Sequence, residues 1–226
     1  MQDTGLNILA IAIFSLTLSV LLGPLLNISP AIPASLTFVM LGLITIDTLS
    51  WKNQGVNLLL NIFASSEQKE RIIYHEAGHF LTAYLYQIPI IDYSLSAWEA
   101  IKKKNTGSGG VIFDDSFLKE KSLDLKEFNL IIERFGVVLM AGIAAEKLIY
   151  NHSEGGQDDQ QKFQEIYSNL TLTYSNFQVK QRLAILQATS MIEKNKESYL
   201  ALVEAMKKRQ SVTECQAIIQ KTLNIT

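Results

Sequence analysis

Cysteine and histidine are scarce in this 226-residue sequence, which contains one Cys and three His. The single cysteine, Cys215, excludes an internal disulfide and is typical of a protein in a reducing compartment. Lys and Arg are absent before Lys52, and no charged side chain occurs between Thr4 and Ile46. The formal net charge is only −2. Nothing in the composition therefore indicates a polyanionic partner, and we predict no binding of nucleic acid.

The uncharged amino-terminal region predicts a transmembrane helical hairpin over residues 1–51. A helix over residues 6–26 would span about 30 Å, the thickness of a bilayer core, and a second apolar run covers 34–50. Basic residues follow the second run and are missing between the two. This asymmetry predicts an integral membrane protein with two spans in the lipid bilayer, with both termini on the cytoplasmic side or its stromal or matrix equivalent. A buried core helix followed by a strand is the alternative.

The remainder of the chain is predicted to be a short linker, 52–65, followed by one mostly helical domain, 66–226. Ser/Asp residues followed three positions later by Glu or Gln mark helix starts at Ser65, Asp124 and Ser211. The predicted helices run over 65–86, 124–150, 158–176, 179–208 and 212–223. Residues 90–115 are expected to be extended or looped, with one short strand at GGVIF, 109–113. The fold class is thus mainly α with a small β element.

Two of the three histidines lie in one apolar segment, YHEAGHFLTAYLY. His75 and His79 are four residues apart, so on a helix both imidazoles project from the same face and can bind one metal ion. Glu76 lies one step round the helix, close to a water on that metal. HExxH is the arrangement of zinc proteases, with two histidine ligands and a glutamate as general base. We therefore predict a Zn²⁺ site, although isolated histidines are more often structural or surface residues.

A catalytic zinc site needs a third protein ligand. The spacing of the residues does not choose among the candidates. They are one histidine and four carboxylates: His152, Glu146, Glu154, Asp158 and Asp159.

Three segments in order resemble the FtsH family of membrane-bound zinc proteases. They are YHEAGHFLTAYL, then VVLMAGIAAEKLIY, then GGQDDQQKFQEI. In that family a segment like GASNDLQQAT supplies an aspartate ligand, and its aspartate aligns with Asp159. The resemblance therefore implies a metal site of His75, His79 and Asp159 with Glu76 as the base. It also implies that Gly110, Val111 and Ile112 line the cleft and bind an extended peptide; an ordinary edge strand is the alternative.

The sequence departs from the family in two respects. FtsH proteins carry an ATPase module, whereas this chain has no GxxxxGK[ST] loop, so we predict that it does not bind ATP. Where the family often has GRxAEE, this chain has GIAAEK, and Lys147 replaces one carboxylate. The remaining Glu146 either orients a ligand histidine without binding the metal itself or caps a surface turn.

The leading hypothesis is a membrane-anchored zinc metalloendopeptidase that hydrolyses unfolded or flexible protein segments without its own ATPase. Its partners would be protein or peptide substrates and other copies of itself or complete FtsH subunits, as a homo-oligomer or hetero-oligomer. The first alternative is a catalytically silent or regulatory FtsH-like protein that acts in complex assembly. The second is an intramembrane protease, which would take its third ligand from an LDG-like segment that this sequence lacks.

Overall fold

The computed structural model describes residues 2–23, 25–27, 29–50, 55, 64–103, 109–114, 116, 125–170 and 177–223. The helices are α1 (Gln2–Leu22), α2 (Ala31–Ser50), α3 (Ser66–Leu85), α4 (Ala97–Lys102), α5 (Leu125–Tyr150), α6 (Gln157–Leu170), α7 (Phe177–Lys194), α8 (Lys196–Lys207) and α9 (Val212–Leu223). The strands are β1 (Ile90–Ser94) and β2 (Gly110–Phe113). The chain divides into two compact units, Met1–Ser66 with Ser96–Gly109, and Glu67–Leu95 with Gly110–Thr226.

The first unit contains α1, α2 and α4. Helices α1 and α2 contact each other, and Asn27 adopts a left-handed conformation (φ 54°) in the turn between them. Near the end of α2, the buried carboxylate of Asp47 accepts a hydrogen bond of 2.8 Å from the Gly55 N–H. Short helix α4 begins behind Ser96, whose hydroxyl accepts the Glu99 N–H at 3.1 Å.

The predicted transmembrane hairpin is wrong. Among the described residues, no helix is long and apolar enough to cross a membrane. The predicted integral-membrane location, with the catalytic domain on the cytoplasmic side, rested on this hairpin and is wrong with it. Most of the predicted linker, 52–54 and 56–63, lies outside the described residues.

The second unit is mainly helical with one two-stranded antiparallel sheet, as the sequence predicts for this part of the chain. Helix α5 packs against α6 and α7, while α9 packs against α8 and β1. Helix α3 crosses α5 at Gly78, where an added Cβ would lie 2.6 Å from the Ala141 carbonyl oxygen. Because a small residue lets two backbones approach, this crossing places one face of α3 directly on α5. The largest fully buried side chains are Tyr199, Phe80, Phe135, Leu81, Leu139 and Met140.

One predicted helix is divided in the structure, and one short helix was not predicted. The predicted helix over 179–208 is divided into α7 and α8 at Asn195, whose side-chain amide donates a 2.8 Å hydrogen bond to the Met191 carbonyl. Asn competes with the helix for backbone hydrogen bonds, which is why it favours such breaks. Helix α4 was not predicted, although Ser96 followed by Glu99 is a helix-start pattern like those that were recognised.

The start of α9 is the capping box that the sequence predicts. The Glu214 N–H donates to the Ser211 hydroxyl at 3.3 Å, and the Ser211 N–H donates to the Glu214 carboxylate at 2.7 Å. Each residue thus satisfies a backbone donor of the other. Asp124 of the second predicted box lies outside the described residues.

Candidate metal centre

Helix α3 presents the two histidines of the HExxH motif to the interior of the second unit. Their rings lie one helical turn apart, with centroids separated by 4.7 Å, and both side chains are buried. The first turn of α6 brings Asp159 to them: its Oδ2 lies 3.2 Å from His75 Nε2 and 3.4 Å from His79 Nε2. The ligand atoms of the three residues all lie within 4.8 Å of one another, close enough for one ion. The tertiary fold therefore assembles the triad that the family resemblance implies.

Both imidazoles are held through their Nδ1 atoms. His75 Nδ1 lies 2.7 Å from Glu146 Oε1, and His79 Nδ1 lies 2.7 Å from the Val138 carbonyl oxygen. Since a carboxylate and a carbonyl only accept, each Nδ1 carries the proton and donates it. In the neutral rings both Nε2 atoms then present lone pairs to Asp159. This tautomer is the one that metal-binding histidines use.

The Nε2 atom of His79 is buried without a hydrogen-bond partner. Neutral rings would direct lone pairs at a carboxylate oxygen and repel it, so the arrangement calls for positive charge there, either as protons on Nε2 or as a metal ion. Two imidazole nitrogens and one carboxylate oxygen form a donor set suited to a divalent transition metal, and zinc in particular. The residues present therefore fit a zinc ion.

The electrostatics of the triad also favour a cation. Burial disfavours a charged imidazole, but the hydrogen bonds with Asp159 and Glu146 outweigh it and raise the pKa of His75 to about 10. Burial lowers the pKa of His79, but the carboxylate of Asp159 outweighs this effect, so the pKa is raised as well. Burial alone would raise the pKa of Asp159, but the two imidazoles hold it well below its usual range. Without a metal the site thus retains protons on its histidines.

Glu76 lies beside this group. Burial raises the pKa of its carboxyl above the ordinary value, against the opposing effect of His79 and His75. Its Oε2 accepts a 3.0 Å hydrogen bond from the Val111 N–H of strand β2. A carboxylate held by one oxygen, with a raised pKa, can take up and release a proton.

Strand β2 carries the three residues expected to bind substrate, Gly110, Val111 and Ile112. Ile112 pairs with Asp92 of β1 and Val111 with Tyr93. The Val111 N–H points to Glu76 and not to β1, so the edge of β2 that is unpaired among the described residues faces the side of α3 that carries Glu76. Gly110 adopts φ +135°, which favours glycine, and a Cβ there would lie 3.6 Å from Glu76 Oε2.

Glu146 connects the first histidine to the loop that precedes Asp159. Besides the proton of His75 Nδ1, its carboxylate accepts the N–H groups of Glu154 at 2.8 Å and Gly155 at 3.3 Å. Burial opposes its charge, but the hydrogen bonds from His75 and the Glu154 N–H lower the pKa of Glu146 to about 2. Glu146 therefore both orients a histidine and binds a turn, combining the two alternatives drawn from the sequence. Lys147, which follows it, is exposed.

The other candidate third ligands do not join the triad. The His152 side chain is 61% exposed and its Nδ1 binds the Tyr150 carbonyl oxygen at 2.9 Å. Glu154 pairs with Arg71 at 3.2 Å, and Asp158 is exposed. Among the described residues, the only group of His, Cys, Asp and Glu able to hold an ion is the triad itself.

Two residues of the site were not identified from the sequence. A Cβ at Gly142 of α5 would lie 2.2 Å from His75 Nε2, so only glycine leaves room for that imidazole. Arg71 donates to Glu146 Oε2 at 3.2 Å. The sequence did contain a signal for Arg71. It lies one helical turn before His75, and residues four apart share a face of a helix.

Comparison with models of protein families and with characterised proteins found no match to this chain. The chemistry of the site is therefore inferred from its own residues.

Proposed function

We propose that this protein is a zinc metalloendopeptidase that hydrolyses peptide bonds in unfolded or flexible protein segments without an ATPase of its own. One observation carries the proposal: His75 Nε2 and His79 Nε2 converge on Asp159 Oδ2 at 3.2 and 3.4 Å, with Glu76 beside them. The segments that resemble the FtsH family contain these same four residues.

The number of ligands supports a catalytic role over a structural one. Structural zinc sites in proteins use four protein ligands, whereas catalytic sites use three and keep one position for water or substrate. The described residues supply three, from α3 and α6. Zinc bound there would act as a Lewis acid that activates water and polarises the peptide carbonyl at neutral pH.

Glu76 supplies the proton transfers. Its carboxylate, held at Oε2 by the Val111 N–H, accepts a proton from the attacking water and later delivers it to the nitrogen of the leaving amine. The raised pKa of Glu76 suits this role, because a base with a very low pKa would take the proton poorly. His75 and His79 retain their Nδ1 protons throughout, since Glu146 and Val138 hold them.

The edge of β2 that has no partner strand in the described part of the chain would restrict the substrate to an extended chain. A peptide that adds as a third strand would run along Val111 and Ile112, with main-chain hydrogen bonds providing most of the recognition. The Val111 N–H is already bound to Glu76, so the added strand would lie next to the base. Only a flexible or unfolded segment can adopt this conformation without an unfolding motor.

The test is zinc content and cleavage of an unfolded protein such as casein, without ATP, by the wild type and two variants. Glu76→Gln preserves the shape and the acceptor for Val111 but cannot take a proton, so we expect full zinc content and no cleavage. His79→Asn should lose zinc and cleavage together. A wild-type protein that holds zinc but cuts no unfolded chain, alone or with complete FtsH subunits, would contradict the proposal and favour the regulatory alternative.

A further inference from the structure

The loop of residues 151–156 joins the end of α5 to the start of α6, and Asp159 lies in the first turn beyond it. The loop reverses the chain through two left-handed residues, Asn151 (φ 64°) and Gly156 (φ 90°). It contains no regular secondary structure of its own. What holds this loop therefore decides where Asp159 lies relative to the two histidines.

A single guanidinium reaches the loop from α3. Arg71 Nη1 lies 3.3 Å from the His152 carbonyl oxygen, and Nη2 lies 3.2 Å from Glu154 Oε1. The same Nη1 also donates to Glu146 Oε2 at 3.2 Å. Nη2 also lies 3.4 Å from His152 Nε2. Arg71 thus binds the loop through its main chain and two side chains, and also binds the carboxylate that accepts two of the loop's N–H groups.

The environment of Arg71 strengthens its contact with Glu146. Its side chain is 7% exposed and that of Glu146 2%, so solvent screens neither charge. The Tyr150 ring covers the guanidinium, with Cζ 4.2 Å from the ring centroid. A buried ion pair that loses one partner leaves an uncompensated charge in the interior. The planar fork serves three acceptors from two separate nitrogens in fixed directions, whereas a lysine carries its three donors on one nitrogen and cannot reach acceptors that lie this far apart.

We propose that Arg71 is a positioning residue that places the third metal ligand, Asp159, by fixing the 151–156 loop against Glu146. Arg71 and His75 lie on the same face of α3, so this helix supplies two histidines directly and locates the aspartate indirectly. Arg71 lies beyond the HExxH motif and touches neither the metal-binding atoms nor a substrate. The role in metal binding rests on the proposed function, whereas the fixing of the 151–156 loop by Arg71 does not.

The test is a double-mutant cycle on zinc affinity, measured by competition with a chromophoric chelator. The conservative variant Arg71→Lys keeps the charge and loses the fork. We expect it to weaken zinc binding about 10–100-fold, as changes behind a metal ligand do. In an Asp159→Asn background, Arg71→Lys should weaken zinc binding by no more than about twofold, because the carboxylate that Arg71 positions is already gone. Lys207→Met removes another cation bound to α3, at Glu70, and should leave zinc affinity unchanged.

An equal loss in both backgrounds would overturn the inference, since Arg71 would then act through the fold in general or through His75. Unchanged affinity in Arg71→Lys would overturn it too. Hydrogen exchange on the metal-free protein tests the loop-fixing role without zinc, so failure of this inference can be distinguished from failure of the proposed function. The Glu154 and Gly155 amides, both bound to Glu146, should exchange faster in Arg71→Lys even if the wild type binds no zinc. Unchanged exchange at these amides would contradict the loop-fixing role.

Discussion

The Nδ1 atom of His75 and the Oε1 atom of Glu146 lie 2.7 Å apart, although the two residues are 71 positions apart in the chain. This contact fixes the imidazole tautomer, so that Nε2 is directed to the metal position. It also makes Glu146 the junction between α3, α5 and the 151–156 loop. The proposed metal centre consequently depends on a residue that is not one of its three candidate ligands.

We expect Glu146→Gln to weaken zinc binding about 10–100-fold. The amide oxygen can still accept from His75, but the amide nitrogen would meet the Arg71 and Glu154 donors with no acceptor. Chelator competition measures the loss. Lys147→Gln, at the exposed neighbouring position, is the matched control and should bind zinc as the wild type does. Equal affinities of Glu146→Gln and wild type would show that the contact is dispensable.

Gly142→Ala should abolish tight zinc binding, because the new Cβ would lie 2.2 Å from His75 Nε2. The comparison is Gly136→Ala on the same helix, where the Cβ would meet the Phe163 ring at 2.4 Å. That variant should lose about 1–3 kcal/mol of stability through overpacking yet retain zinc when folded. Thermal unfolding and metal analysis of both proteins distinguish a local effect on the imidazole from a general one. Zinc retained by Gly142→Ala would refute the steric argument.

Zinc binding should release protons and strengthen as the pH rises from 6 to 8. The pKa of His75 is raised to about 10 and that of His79 is also raised, so at neutral pH the metal-free site is protonated and the metal must displace those protons. Asp159, whose pKa is lowered, contributes no proton in this range. Calorimetry in two buffers of different ionisation enthalpy counts the protons released. Affinity independent of pH would mean that the histidines are already neutral without metal.

Ser211→Ala should destabilise the second unit by about 1 kcal/mol, the usual effect of removing a helix cap, without changing zinc affinity. The hydrogen bonds with Ser211 lower the pKa of Glu214, so the capping contribution is present at neutral pH. The part of the cap made by the Glu214 carboxylate is lost as the pH falls through this lowered pKa, whereas the hydrogen bond from the Glu214 N–H to the Ser211 hydroxyl is retained. Urea unfolding at pH 7 measures the loss for Ser211→Ala. If Ser211→Ala also changed zinc affinity, the cap of α9 would not act on stability alone and the prediction would be wrong.

Chain regions with a strong local signal folded as the sequence predicts. The HExxH spacing places two imidazoles on one face of any helix that contains it, and Ser211 with Glu214 marks a helix start wherever the segment is exposed. The same kind of reasoning failed for the amino-terminal region, where a run of uncharged residues predicted a membrane hairpin. Within the described part of the chain, none of the helices qualifies as a membrane span.

By itself the sequence determined the local part of this site: two histidines one turn apart, a glutamate beside them, and the histidine-poor composition that makes the pair conspicuous. Only the tertiary structure decided which distant acid completes the triad, because Asp159 and His75 are 84 positions apart and no periodicity links them. It also decided that Glu146 faces inward, that Gly142 leaves space for an imidazole, and that Arg71 reaches the loop. Helical spacing arises from hydrogen bonds within a few residues, whereas these contacts exist only once α3, α5 and α6 pack together.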